Sequence, residues 1–221
     1  MRSLRSVKRR ETWQALRAAY HRLMAVGYRA FGRPVQRGET SKARQRRVRE
    51  GFFERYCRGA GLDIGYGGDL LCDNCRPWDF EHGDAQFLRG VADASFDFVY
   101  SSHTLEHVAD AGETLRNWWR VLKPGGYLII YIPHRDLYEK KLVLPSNWSA
   151  DHRRFFLIER DDPPDTVGIV PLLARNLAGY ELIYARPSAD GHTITDPQKH
   201  SDGEYSIELV LRKGQPEWVT R

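Results

Sequence analysis

Residues 61–69 read GLDIGYGGD: an apolar run, an acid, then three glycines within four positions. Glycine takes positive φ without strain and lets another molecule lie against the main chain, so glycines clustered behind an apolar strand point to a bound cofactor. A dinucleotide fingerprint, G-x-G-x-x-G, would need glycine at position 70 after Gly65 and Gly67, where the chain has Leu70. The bend therefore serves another ligand. Acids follow at Asp73, Asp79 and Asp84, and an acid suits a position that faces hydrogen-bond donors. His103 comes just past the apolar FDFVY and His134 just past YLIIYI, which puts two imidazoles at the carboxyl ends of strands, where a general base would stand. Cys72-Asp73-Asn74-Cys75 has the spacing of half a zinc site, with Cys57 and His82 as conceivable completing ligands. No second pair follows at suitable spacing, so the cysteines read as buried or partly buried thiols and no metal is expected.

The elements that would hold these groups alternate. Strand-like runs occur at 61–64, 96–100, 127–132, 180–185 and 205–211, with helix-like stretches around 104–122 and 165–178 between them. FDFVY and YLIIYI are apolar almost throughout, as strands covered on both faces must be, so the core is expected to be an α/β fold on a mainly parallel sheet. No crossover helix is visible between the last two strands, which are expected to pair antiparallel. Upstream, Trp13, Leu16, Tyr20, Leu23, Met24, Tyr28 and Phe31 fall on one face of an amphipathic helix over 11–31. A second helix follows in SKARQRRVREGFFERYC, with Ser41 as its N-cap and Val48, Phe52, Phe53 and Tyr56 at helical spacing.

A chain of 221 residues, 41% hydrophobic, is enough for one globular domain with an appendage. No window has the length of apolar residues that a membrane-spanning helix needs, and the basic start leads into no signal-type core, so a cytoplasmic protein is expected. Residues 1–60 carry 17 Lys+Arg against 4 Asp+Glu, whereas residues 61–221 carry 17 against 25. A basic head of this kind attracts phosphate, of nucleic acid, lipid headgroup or nucleotide, or is simply a solvated face.

Four stretches in order, GLDIGYGGD at 61–69, GDAQFL at 83–88, FDFVYSSHTLEHV at 96–108 and RVLKPGGYLIIYIP at 120–133, resemble the class I S-adenosylmethionine-dependent methyltransferases over residues 41–213. The resemblance implies a Rossmann-like fold with a mainly parallel seven-stranded sheet and an antiparallel C-terminal strand. It implies a domain over 41–221 behind a basic helical extension at 1–40. S-adenosylmethionine has no phosphate, so its binding loop need not be a phosphate nest, and Gly65 and Gly67 are enough for close approach. By the same resemblance Asp63 helps hold the methionine amino group, Asp79 takes the ribose hydroxyls with Asp73 as competing acid, and Asp84 reaches the adenine amino group. Tyr66, Ala85 and Ser101 complete the expected cofactor contacts. Two departures stand out: Asp69 replaces the family's third glycine, with Gly68 one place early, and Gly68–Asp79 is too short for a full helix and strand, so the first crossover is abbreviated.

Methyl transfer from a sulfonium is an in-line displacement that needs alignment, dryness and, for a protonated acceptor, a base. His103 is the first choice for that base and His134 the second, while His107, further into the next helix, reads as structural. The segment 134–165 is long for a connection and resembles a subgroup associated with sugar and surface-polysaccharide biosynthesis. Within it His152 and Asp151 are expected to orient a hydroxyl, and Trp148, Phe155 and Phe156 either floor a sugar ring or pack the insert. The expected acceptor is a hydroxyl or amine of a sugar, glycan or small metabolite. Two alternatives stand beside it: an RNA methyltransferase gripping phosphates with its basic head, and an inactive methyltransferase-like binding protein. A peripheral membrane contact through the first helix and a homodimer are further expectations.

Overall fold

The computed structural model describes residues 38–215, so the amphipathic helix expected at 11–31 and nearly all of the basic extension lie outside the described residues. Six strands form the main sheet: β1 (Gly61–Ile64), β2 (Cys75–Trp78), β3 (Phe96–Ser102), β4 (Leu122–Pro133), β7 (Tyr180–Ser188) and β8 (Ser206–Lys213). Their spatial order is β2-β1-β3-β4-β8-β7. The first four pair in parallel, while β8 runs antiparallel to β4 on one side and to β7 on the other. The expected mixed sheet is thus present, with six strands among the described residues instead of seven. The strand missing from the edge beyond β2 would have to come from residues 79–95. That segment is turns and bends with Phe80 largely exposed, and it offers no apolar run to cover. A separate pair, β5 (Phe155–Leu157) with β6 (Thr166–Gly168), is parallel and sits in the insert.

Side chains alternate across each strand, so the sheet divides its core in two. On one face Leu62, Ile64, Val99, Leu128 and Ile130 pack under two helices, α4 (Ala111–Val121) and α5 (Ile169–Asn176). On the other, Phe98, Tyr100, Ile129, Tyr131 and Val210 pack against Phe52, Cys57 and Leu71. Asp110 caps α4 by accepting from the Glu113 amide at 2.9 Å. The helical pattern expected from 104 therefore starts at 111. Before it the chain makes a turn in which His103 holds φ of +46° and Thr104 donates to the Ser102 carbonyl at 3.0 Å.

The single helix expected over 41–57 is three short pieces: α1 (Glu39–Lys42), α2 (Arg44–Arg49) and α3 (Phe52–Tyr56). Gly51 breaks the last junction at φ of +63°. Ser41 is not an N-cap. It lies inside α1, and its amide donates to Asp69 Oδ2 at 2.8 Å, its hydroxyl to Oδ1 of the same carboxylate. This gives the residue in place of the third glycine a role: Asp69 fastens the glycine bend to α1. The first crossover is abbreviated as expected, for β1 passes to β2 through turns with no helix.

Part of the basic segment is neither solvated nor turned outward. Arg46 and Arg47 are buried, and both reach Glu208 of β8. Arg46 also pairs with buried Glu204 at 2.8 Å, and Arg47 donates to the Tyr100 hydroxyl at 3.1 Å. Buried guanidinium groups persist where paired and hydrogen-bonded in this way. No helix among the described residues is long and apolar enough to cross a membrane.

Candidate functional site

The carboxyl ends of β1, β2, β3 and β4 converge on one rim. At β1, Gly65, Gly67 and Gly68 all hold positive φ, at +72°, +55° and +88°. A Cβ on Gly65 would stand 2.0 Å from Thr104 Oγ1, whereas one on Gly67 would meet nothing nearer than 3.9 Å. The bend is bare main chain, tight on its inner side and open at Gly67. Ser101 and Thr104 both hydrogen-bond the Ile64 carbonyl, at 3.0 and 3.3 Å, and so fix the last residue of β1 to β3.

Asp63 is fully buried and ties the bend: Oδ2 accepts from the Leu71 amide at 2.8 Å. Oδ1 is buried with no hydrogen-bond partner, and burial pushes the carboxyl well above its ordinary range. Asp79 follows β2 directly. Its Oδ2 accepts from the Gly67 amide at 3.1 Å, which places a carboxylate beside the open part of the bend. Asp73 precedes β2, at the other end of that strand, and so is not on this rim. Asp84 is exposed and caps its own turn through the Gln86 amide at 2.7 Å, while the Ala85 carbonyl accepts from Trp118 Nε1 at 2.9 Å. The Asp84–Gln86 turn is thereby braced on α4. Tyr66 stands half-buried in the bend, its hydroxyl made harder to ionise by burial and by Glu81 and Asp79.

These residues fit the donor that the sequence motifs imply. An orphaned buried carboxylate oxygen on Asp63, bare backbone at Gly67 and an acid at the end of β2 offer acceptors to a ligand carrying ammonium and hydroxyl groups.

A second cluster gathers past β3 and β4. His103 Nε2 lies 2.8 Å from Ser206 Oγ, and its Nδ1 lies 3.8 Å from Glu106 Oε1. The ring packs among Tyr131, Tyr138 and Tyr205, and burial pulls its pKa down to about 4. His152 is buried, with Nδ1 2.6 Å from Glu139 Oε1 and Nε2 3.9 Å from Glu106 Oε1. His107, read from sequence as structural, is partly exposed, with Nε2 3.6 Å from the same Glu106 oxygen.

Other expected residues separate from this group. His134 caps a π-turn over Arg135–Glu139, accepting from the Asp136 amide at 3.1 Å through Nδ1, so that nitrogen is not free to act as base. Trp148 donates to the Tyr138 carbonyl at 3.1 Å and Asp151 is exposed. Phe155 and Phe156 are buried in β5, which makes them packing residues and removes them as a floor for a sugar ring. Sequence reasoning missed Glu106, Glu139, Tyr138 and Ser206. The signal available was the His103-x-x-Glu106-His107 spacing, three and four residues apart, which one turn of chain can bring to a single side.

Residues 47–130 match the family model described as a methyltransferase domain. A ubiquinone biosynthesis O-methyltransferase of Caulobacter vibrioides is 38% identical over 35% of this chain and 25% of its own length. A protein of Mycolicibacterium smegmatis named as a probable S-adenosylmethionine-dependent methyltransferase is 29% identical over 40% of this chain and 42% of its own. A trans-aconitate 2-methyltransferase of Deinococcus radiodurans is 41% identical over 24% of this chain and 19% of its own. The chain thus spans less than half the length of these relatives. The stretch 47–130, which contains the glycine bend, its carboxylates and the turn bearing His103, thus matches a methyltransferase domain.

Proposed function

We propose that the whole chain transfers a methyl group to a hydroxyl, or an amine, of a sugar, glycan or other small metabolite, with His103 as general base. The observation that carries this reading is the state of His103. It is an imidazole kept neutral by burial, held by Ser206, and set at the carboxyl end of the strand next to the glycine bend. Bound S-adenosylmethionine supplies an activated methyl on a sulfonium. The chain's own residues do the rest. The bend and Asp79 seat the donor, and the ring of Tyr131, Tyr138 and Tyr205 keeps water from the acceptor. As the carbon–oxygen bond forms, the carbon–sulfur pair stays on sulfur and the acceptor proton passes to His103. In the tautomer whose Nε2–H donates to Ser206 Oγ, Nδ1 carries the lone pair and is the atom that receives it. A hydroxyl acceptor agrees with the O-methyltransferase named among the relatives. The insert's resemblance to polysaccharide-associated enzymes directs the search to sugars first.

The test pairs calorimetric binding of S-adenosylmethionine with release of S-adenosylhomocysteine over a panel of sugar nucleotides, phenols and carboxylates. His103→Asn should keep donor binding and lower turnover about 10²- to 10⁴-fold, the usual weight of a general base. Absence of donor binding in the parent chain, or full activity in the variant, would overturn the reading.

A further inference from the structure

Glu106 is wholly buried, and neither of its carboxylate oxygens has a hydrogen-bond partner. A buried carboxylate left in this way lacks the compensation that burial ordinarily demands. What faces it is a set of ligand atoms. His107 Nε2 and His152 Nε2 stand 3.6 and 3.9 Å from Oε1, and the donor atoms of all three residues lie within 4.8 Å of one another. His152 is oriented from behind, because Glu139 Oε1 accepts from its Nδ1 at 2.6 Å and so leaves the Nε2 lone pair toward Glu106. A carboxylate behind an imidazole whose other nitrogen meets further donors is the arrangement that supports histidine ligands to metals.

We propose that Glu106, His107 and His152 form a site for a divalent cation of the zinc type, with Glu139 as the positioning residue for His152. Two imidazoles and one carboxylate suit such an ion, and three protein ligands leave a position open for an oxygen from outside. Bonds of about 2.0–2.2 Å put neighbouring ligand atoms about 3.3–3.6 Å apart in a tetrahedron. The trio must therefore draw in by about 1 Å or less on most edges. His107 is partly exposed and lies on a turn outside any helix or strand. Glu39 and Glu139 add negative charge nearby, while Arg154 and Lys42 add positive. The ion's role rests on the methyl-transfer reading: an acceptor hydroxyl in its open position becomes more acidic, loses its proton to His103 and attacks the methyl as an alkoxide. His103 Nδ1, 3.8 Å from Glu106 Oε1, borders the same space.

The test is a Co²⁺ titration of the full chain after dialysis against a chelator, followed by absorption in the visible and by competition with Zn²⁺. About one ion per chain should bind, with bands of a four- or five-coordinate site. Glu106→Gln and His107→Gln should weaken binding at least 100-fold, and Glu139→Gln about 10- to 100-fold. Glu106→Gln removes an uncompensated buried charge and is expected to fold, and the more exposed His107→Gln provides an independent variant, with thermal melts checking both. No stoichiometric binding, or binding that survives both ligand variants, overturns the proposal, as does binding lost only in Cys72→Ser, which would put the ion on the cysteines. S-adenosylmethionine binding without metal binding would leave methyl transfer standing and remove the ion. Metal binding without donor binding would do the reverse.

Discussion

Asp79 Oδ2 accepts a hydrogen bond from the Gly67 amide at 3.1 Å, joining the end of β2 to the open point of the glycine bend. Of the two acids that compete in the sequence for the ribose position, Asp79 is the one that stands beside the bend. Asp73 stands before β2, and parallel pairing with β1 sets it at the opposite end of the sheet. Asp79→Ala should lower affinity for S-adenosylmethionine about 10- to 100-fold, since a lost hydrogen bond and a bend left unsupported together weigh about 1.4–2.8 kcal/mol. Asp73→Ala should bind within about 2-fold of the parent. Calorimetry on the two variants measures this, and equal losses would remove Asp79 from the cofactor site.

The two glycines of the bend differ in what surrounds them, so their alanine variants should fail differently. At Gly65 a Cβ would overlap Thr104 Oγ1 at 2.0 Å, and that hydroxyl already holds the Ile64 and Ser102 carbonyls. Strain at φ of +72° adds to the overlap. Gly65→Ala should therefore destabilise the fold by roughly 2–5 kcal/mol. Gly67→Ala carries only the strain of its positive φ, about 1 kcal/mol. Its methyl nevertheless stands on the open side of the bend, so donor affinity should fall more than 10-fold while the urea midpoint moves little. Equal midpoints for the two variants would contradict the packing around Gly65.

The strands at 61–64, 96–100, 127–132 and 205–211 were legible because burial on both faces leaves near-continuous apolar runs that tolerate little else, whereas 180–185 is a half-buried edge strand legible only from its apolar residues. The glycine bend was legible because positive φ and close approach restrict the residue type. The edge strand beyond β2 was expected from the resemblance, not from any run of residues, and none stands there among the described residues. The helix over 41–57 shows how periodicity misleads: Val48, Phe52, Phe53 and Tyr56 keep helical spacing, yet Gly51 breaks the chain between them and Val48 is exposed. The histidine cluster was only half visible. Position after a strand identified His103, but it could not separate His103 from His134, whose Nδ1 goes to a local turn. Nor could sequence position bring Glu139 and His152, thirteen residues apart in an irregular insert, into contact.

The three cysteines meet, and they should react unequally. Cys57 and Cys75 are buried, while Cys72 is partly exposed with its sulfur 3.5 Å from that of Cys75. Hydrogen bonds from Cys57 and then Cys75 stabilise the Cys72 thiolate and pull that thiol well below its usual range, whereas the other two are pushed up. Brief treatment with iodoacetamide near neutral pH should label Cys72 at least about 10-fold faster than Cys57 or Cys75. Peptide mass spectrometry reads the order. Prior labelling of Cys57 or Cys75 would mean that the trio is not arranged as described.

Glu208 accepts from buried Arg47 at 2.7 Å and from buried Arg46 at 2.9 Å, locking α2 onto β8. Burial by itself would raise its carboxyl, but Arg47 and Arg46 outweigh burial and hold it down to about 2, against an ordinary 4.5. The folded state therefore binds the proton less readily than the unfolded chain. The corresponding stability, about 3 kcal/mol, is fully present above pH 4.5 and is lost as pH falls from there through about 2. Glu208→Gln should lose about 3–5 kcal/mol at neutral pH, because two guanidinium groups remain buried with a partner removed. Its urea midpoint should also fall less steeply than the parent's between pH 4.5 and 2.5. If the acid limb of stability is unchanged in the variant, the energetic weight assigned to this cluster belongs to other carboxylates.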